Sequence, residues 1–181
     1  MGESKFPAPS LNLGNQLVAL ELMNAVASHL PIVKSLRWKN ELATQLFAAQ
    51  LARHPELGQA FIALRGDLGA GKTTLVRHLL QALGVTGRIK SPTYAVVEPY
   101  ELPGLAIWHF DFYRFADPLE WEDAGFRDIF ASPGLKLAEW PERVAALLPG
   151  ADLEIAIWTD LEADRLVSLT AHTSIGKALL T

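Results

Sequence analysis

A chain of 181 residues, half of them hydrophobic, can bury one full core and is short for two. Its formal charge of −4, from 16 Lys plus Arg against 20 Asp plus Glu, argues against autonomous nucleic-acid binding, which shows as a basic excess or stripe. Cysteine is absent, which excludes a disulfide framework, a thiolate nucleophile and a zinc-thiolate site, and a cytosolic protein is the simplest expectation.

Residues 1–31 read as an N-terminal extension of unknown role, ahead of a single domain over 32–181. The stretch from Leu11 to Leu30 imitates a targeting signal, but Glu21 interrupts it and Lys5 provides only a weak basic region. An accessory helix or a poorly ordered extension is the better expectation, and Met23 offers an alternative start. No run reaches the roughly 20 apolar residues needed to span a bilayer, so no membrane role is expected.

"IVKSLRW" (Ile32 to Trp38) has the look of a short strand, and Asn40 suits the cap of a helix from Glu41 to about Arg53. "AFIALR" (Ala60 to Arg65) reads as a buried strand, and Lys72 to Leu83 as a helix stopped by Gly84. "TYAVVEPYE" and "LAIWHFDFYRF" read as two strands joined by the turn Leu102 to Gly104. Asp117 and Pro118 fit the cap and first position of a helix through "PLEWEDAGF". "LKLAE" is a short strand, followed by a helix through "PERVAALL". "DLEIAIW" and "RLVSLTA" are strands joined by the acidic turn "TDLEAD". Strands alternating with helices imply an α/β layered sheet, mixed because some strands are sequence neighbours.

One motif carries chemistry. "GDLGAGKT" places Gly66, four residues, then Gly71, Lys72 and Thr73 between a strand and a helix. Glycines let the backbone turn its N–H groups inward on phosphates, and the helix adds its positive end. Lys72 provides a charge for the β and γ phosphates, and the Thr73 hydroxyl suits Mg²⁺. The nucleotide-contacting residues expected are Gly66, Asp67, Gly69, Ala70, Gly71, Lys72, Thr73 and Thr74.

Such a site needs carboxylates at strand ends, and Asp111, Glu139 and Asp160 qualify. The strand period puts His109, Asp111 and Tyr113 on one face and Trp108, Phe110 and Phe112 on the other. His109 reads equally well as a hydrogen-bonded core histidine. Asp160 lies in a turn composition and is the weakest of the three acids. Periodicity alone does not rank Asp111 against Glu139.

"GDLGAGKTTL", "SPTY" (Ser91 to Tyr94), "HFDFYR" (His109 to Arg114) and "LAEWPER" (Leu137 to Arg143) follow in that order. Over about Leu36 to Leu148 the chain resembles the bacterial TsaE (YjeE) ATPases of tRNA threonylcarbamoyladenosine biosynthesis. The resemblance implies a P-loop NTPase-like three-layer sandwich with a mixed, mostly parallel central sheet. It implies an Mg-dependent ATPase, slow alone, that cycles the TsaD–TsaB complex which threonylcarbamoylates N6 of adenosine 37 in tRNA. Transfer itself belongs to the partners, and tRNA is reached through them; the chain alone is expected to be a monomer. Asp111 and Lys72 are the implied catalytic residues, and Thr73, Glu139 and Asp111 the implied Mg²⁺ set. Thr93 falls in a switch-like segment, where Tyr94 replaces the more frequent Phe. His109, Tyr113, Arg114 and Trp140 are further candidates.

Two rivals share the loop. A small-molecule or nucleoside kinase needs an acceptor pocket and usually an Arg-rich lid, whereas arginines after Lys72 are scattered singly. A GTPase switch needs Asn-Lys-x-Asp, and no Asn follows Asn40.

Overall fold

A computed structural model describes residues 30–115 and 118–181. The expectations for residues 1–29, and for Asp117 as a helix cap, lie outside the described residues. The elements are β1 (Ile32–Trp38), α1 (Glu41–Leu51), β2 (Phe61–Arg65), α2 (Lys72–Leu83), β3 (Val97–Leu102) and β4 (Leu105–Asp111). They continue with α3 (Pro118–Asp123), α4 (Phe126–Ala131), β5 (Leu135–Glu139), β6 (Leu153–Thr159), β7 (Arg165–Ala171) and α5 (Ser174–Ala178).

The strands form one sheet in the order β1-β7-β6-β2-β5-β4-β3. Its centre, β6-β2-β5-β4, is parallel, and both flanks pair antiparallel. β2 runs through the middle and is apolar on both faces, as a doubly covered parallel strand must be. Ile62 and Leu64 face a core built with Leu51 of α1 and Leu75, Val76, Leu79 and Leu80 of α2. Phe61 and Ala63 face a second core with Phe110, Phe112, Trp121 of α3 and Phe126 of α4. Helices over two faces of one mixed sheet make the three layers.

The buried residues of α2 recur at helical spacing, each worth about 1.5–3 kcal/mol of burial. That burial fixes the start of α2 directly after β2, where the glycine loop lies. Removing it with Leu79→Ala would cost about 2–5 kcal/mol. At the other end Gly84 closes the helix at φ 102°, as the sequence implied.

Four local readings are corrected. β3 begins at Val97 because Val96 adopts φ 64° and breaks the extended chain, so "TYAV" is a turn. β4 ends at Asp111; Phe112 N–H still bonds Glu139 O of the neighbouring β5 at 3.0 Å, and the chain then turns at Tyr113 and Arg114. The helix through "PLEWEDAGF" divides at Gly125, whose left-handed φ of 67° starts α4. "PERVAALL" forms only a 3-10 turn over Pro141–Val144; Leu147 and Leu148 N–H both converge on Val144 O, so no α-ladder propagates. The sequence reading also passed over α5, which Thr173 caps through Gly176 N–H at 3.2 Å.

Candidate nucleotide site

β2 delivers the chain into the glycine loop, and the loop into α2. Gly66 is required sterically: a Cβ there would stand 2.0 Å from Ile157 O, at a φ of 133°. Gly71 caps α2 at φ 112°, leaving the first N–H groups of the helix open towards the loop. Inside the loop lies Lys72, only 4% exposed. Its Nζ donates to Gly66 O at 2.6 Å and Asp67 O at 2.9 Å, and stands 4.0 Å from the Trp140 ring centre. Burial pushes the Lys72 ammonium below its ordinary range, against the opposing pull of Glu139 and Asp111.

β4 and β5 bring the acids. Asp111 and Glu139 are register partners on these parallel strands, on the same face as Leu137 and Ile107, so both look towards α2. Thr73 Oγ1 lies 2.9 and 3.0 Å from the two oxygens of Glu139, one of which it donates to. Glu139 Oε1 also meets His109 Nε2 at 2.9 Å, and His109 is fully buried with Nδ1 unpartnered. His109 therefore lies beneath the site as a support for Glu139. Asp111 Oδ1 accepts from Tyr113 N–H at 2.9 Å; Oδ2 accepts from Thr93 Oγ1 at 3.0 Å and from Ser91 Oγ. The two hydroxyls are themselves 2.6 Å apart.

These residues line an open cleft of about 510 Å³. Gly69, Gly71, Thr73 and Thr74 form its floor with Lys72; Thr93, Asp111 and Glu139 form its far side; Tyr113, Arg114 and Trp140 form its rim. The Tyr113 and Trp140 rings lie 4.9 Å apart, and the Arg114 guanidinium covers Tyr94 at 4.5 Å. Asp160 is not among the lining residues. It ties its own turn through Glu162 and Asp164 N–H and pairs with Arg37 at 2.8 Å.

Two features escaped the sequence reading. Ser91 was seen only as part of a motif, although it shares Asp111 with Thr93. A second recess, about 170 Å³, adjoins the loop at Ala70, Gly71 and Thr74 and is walled by Trp38, Asn40 and Arg165. Trp38 ends β1 and Arg165 starts β7, so only the antiparallel pairing of those strands brings the two together.

The donor chemistry fits the expected cargo. A buried lysine, open helix N–H groups and a glycine-lined backbone suit phosphates, while one hydroxyl and two carboxylates suit a hard cation such as Mg²⁺.

Sheet order, glycine loop and cleft define an α/β protein of the P-loop NTPase-like class. The chain belongs to the TsaE family, whose model, described as threonylcarbamoyl adenosine biosynthesis protein TsaE, matches residues 38–179. It is 47% identical over 121 residues to the tRNA threonylcarbamoyladenosine biosynthesis protein TsaE of Haemophilus influenzae, covering 66% of this chain and 75% of that one. Against the protein of the same description from Bacillus subtilis it is 34% identical over 141 residues, covering 77% and 87%. The crystal structure of Bacillus subtilis YdiB superposes with a TM-score of 0.71 at 27% identity, over 84% of this chain and 95% of that one. Among the described residues, no helix is long and apolar enough to cross a membrane.

Proposed function

We propose that this chain binds Mg-ATP in the cleft and hydrolyses it in the service of tRNA threonylcarbamoyladenosine formation, acting in the cytoplasm with TsaD and TsaB. The observation that carries the reading is the bond from Thr73 on the phosphate-type loop to Glu139, with Asp111 in register beside it. The relatives' description as tRNA threonylcarbamoyladenosine biosynthesis proteins supports the pathway. Bound Mg-ATP would supply the phosphoanhydride that is cleaved and the cation that offsets its charge.

The chain's own residues do the rest. Lys72 and the N–H groups opening α2 hold negative charge, while Thr73, Glu139 and Asp111 present oxygens to the cation. Asp111, steadied by Ser91 and Thr93, orients the attacking water. The recess beside Trp38 accommodates the base. Among the described residues one arginine lines the cleft, Arg114, and it is engaged with Tyr94. Turnover by the isolated chain is therefore slow, because among the described residues no other arginine of the cleft lining neutralises transition-state charge.

The test mixes the purified protein with its host's TsaD and TsaB and follows both ATP hydrolysis and tRNA modification. At least tenfold stimulation (about 1.4 kcal/mol), with modification dependent on this chain, is expected. Fast turnover alone onto a small-molecule acceptor would replace the reading with a kinase.

A further inference from the structure

An open, shallow bay of about 500 Å³ adjoins the nucleotide cleft at Thr73 and Ser91. Arg77 of α2 projects into it, and Arg88 and Lys90 of the following loop enclose it. Arg88 and Lys90 are exposed while Ile89 between them is 4% exposed, so the chain turns both cations outward and anchors on the core. No acid lines the bay, and none of the three cations forms an ion pair with a described residue. Acids concentrate elsewhere, as at Asp160, Glu162 and Asp164 around Arg37. The formal charge of −4 thus averages over a surface with a local cationic hollow.

We infer that this bay seats the phosphodiester backbone of RNA directly. Two guanidinium forks and an ammonium match phosphate oxygens. The choice of RNA over an acidic protein rests on the proposed role in tRNA modification. Thr73 and Ser91 also line the nucleotide cleft, where they bond Glu139 and Asp111. The bay and the nucleotide cleft therefore share these two side chains. Each ligand shifts the affinity of the other, because such coupling is reciprocal.

The test measures binding of a fluorescein-labelled, unmodified host tRNA transcript to the full chain by anisotropy, without nucleotide or partners. Three neutralised phosphates predict a slope of log K against log salt of about −2 to −3. The triple variant R77E/R88E/K90E, with its melting temperature and ATP affinity as fold controls, should lose at least about tenfold in tRNA affinity. Mg-ATP should shift the wild-type tRNA affinity by about fivefold or more. Equal binding by wild type and variant overturns the inference, as does displacement of tRNA by polyglutamate at equal charge. A salt slope near zero does so as well. The absence of any nucleotide effect overturns the coupling. Modification activity with cation-independent tRNA binding sinks this inference alone; cation-dependent binding without modification activity sinks the pathway reading alone.

Discussion

Asp111 and Glu139 stand opposite each other in the register of β4 and β5, and each is held by a different part of the chain. Glu139 is bound to Thr73 at the start of α2, whereas Asp111 is bound to Ser91 and Thr93 on the segment that follows α2. One acid is tied to the glycine loop side of α2 and the other to the segment after α2, so the two carboxylates are positioned by separate parts of the chain.

Asp111→Asn and Glu139→Gln should each slow ATP hydrolysis at least ~100-fold, the scale of a lost positioned charge in a phosphoryl-transfer site. Asp160→Asn keeps the oxygen that accepts from Glu162 and Asp164 N–H, so its rate should remain within about threefold of wild type. Steady-state hydrolysis of the three variants decides the matter; an inert Asp160→Asn enzyme would move the site to the β6–β7 turn.

Lys72→Ala should nearly abolish Mg-ATP binding in calorimetry while leaving the fold intact, since the ammonium is bonded only to its own loop's carbonyls and faces the Trp140 ring. Affinity equal to wild type would remove the phosphate-loop reading altogether.

His109→Leu tests whether the buried histidine acts through Glu139. Losing an outer partner of a cation-binding carboxylate typically weakens metal affinity 10–100-fold. The Mg²⁺ concentration for half-maximal hydrolysis should therefore rise by about that factor, with the rate at saturating Mg²⁺ far less affected. A purely structural histidine would lower the melting temperature and leave the Mg²⁺ requirement where it was.

Alkaline stability follows from Lys136, whose Nζ is buried against Ser132 O and 5.2 Å from the Trp108 ring centre. Burial lowers its pKa from 10.5, and Lys72 shifts in the same direction. Between the lowered folded value and 10.5 the unfolded chain holds more protons, so stability rises with pH there. Tyr100, raised above 10.0 chiefly by burial, acts in the opposite sense beyond its ordinary value. Urea denaturation from about pH 8 to about pH 10 should show the rise, and Lys136→Met should flatten it. An unchanged slope would show that Lys136 titrates alike in both states.

Much of this was legible in the linear chain because it rests on local pattern. Asn40 bounds its helix by a side-chain bond to Ala43 N–H, Gly71 and Gly84 bound theirs by left-handed conformation, and alternation along β4 put His109 and Asp111 on one face. What stayed hidden depends on contacts distant in sequence. That Glu139 reaches Thr73, that Ser91 reaches Asp111, and that Arg165 closes a recess with Trp38 are consequences of sheet order. Trp140 misled the reading of the next segment because a left-handed φ of 57° at a non-glycine residue has no sequence signature.

Val96 is another such residue, and its branched side chain makes φ 64° a disfavoured state, costing about 1–3 kcal/mol. Two backbone bonds keep it there: Val96 N–H to Pro92 O at 2.6 Å, and Asp111 N–H to Val96 O at 2.9 Å. The turn bearing Ser91 and Thr93 is thus fastened to the end of β4 twice, through the backbone at Val96 and through both hydroxyls at the Asp111 carboxylate. One residue anchors the segment by main chain and side chain alike, so the residue that closes the strand also sets where the two hydroxyls stand.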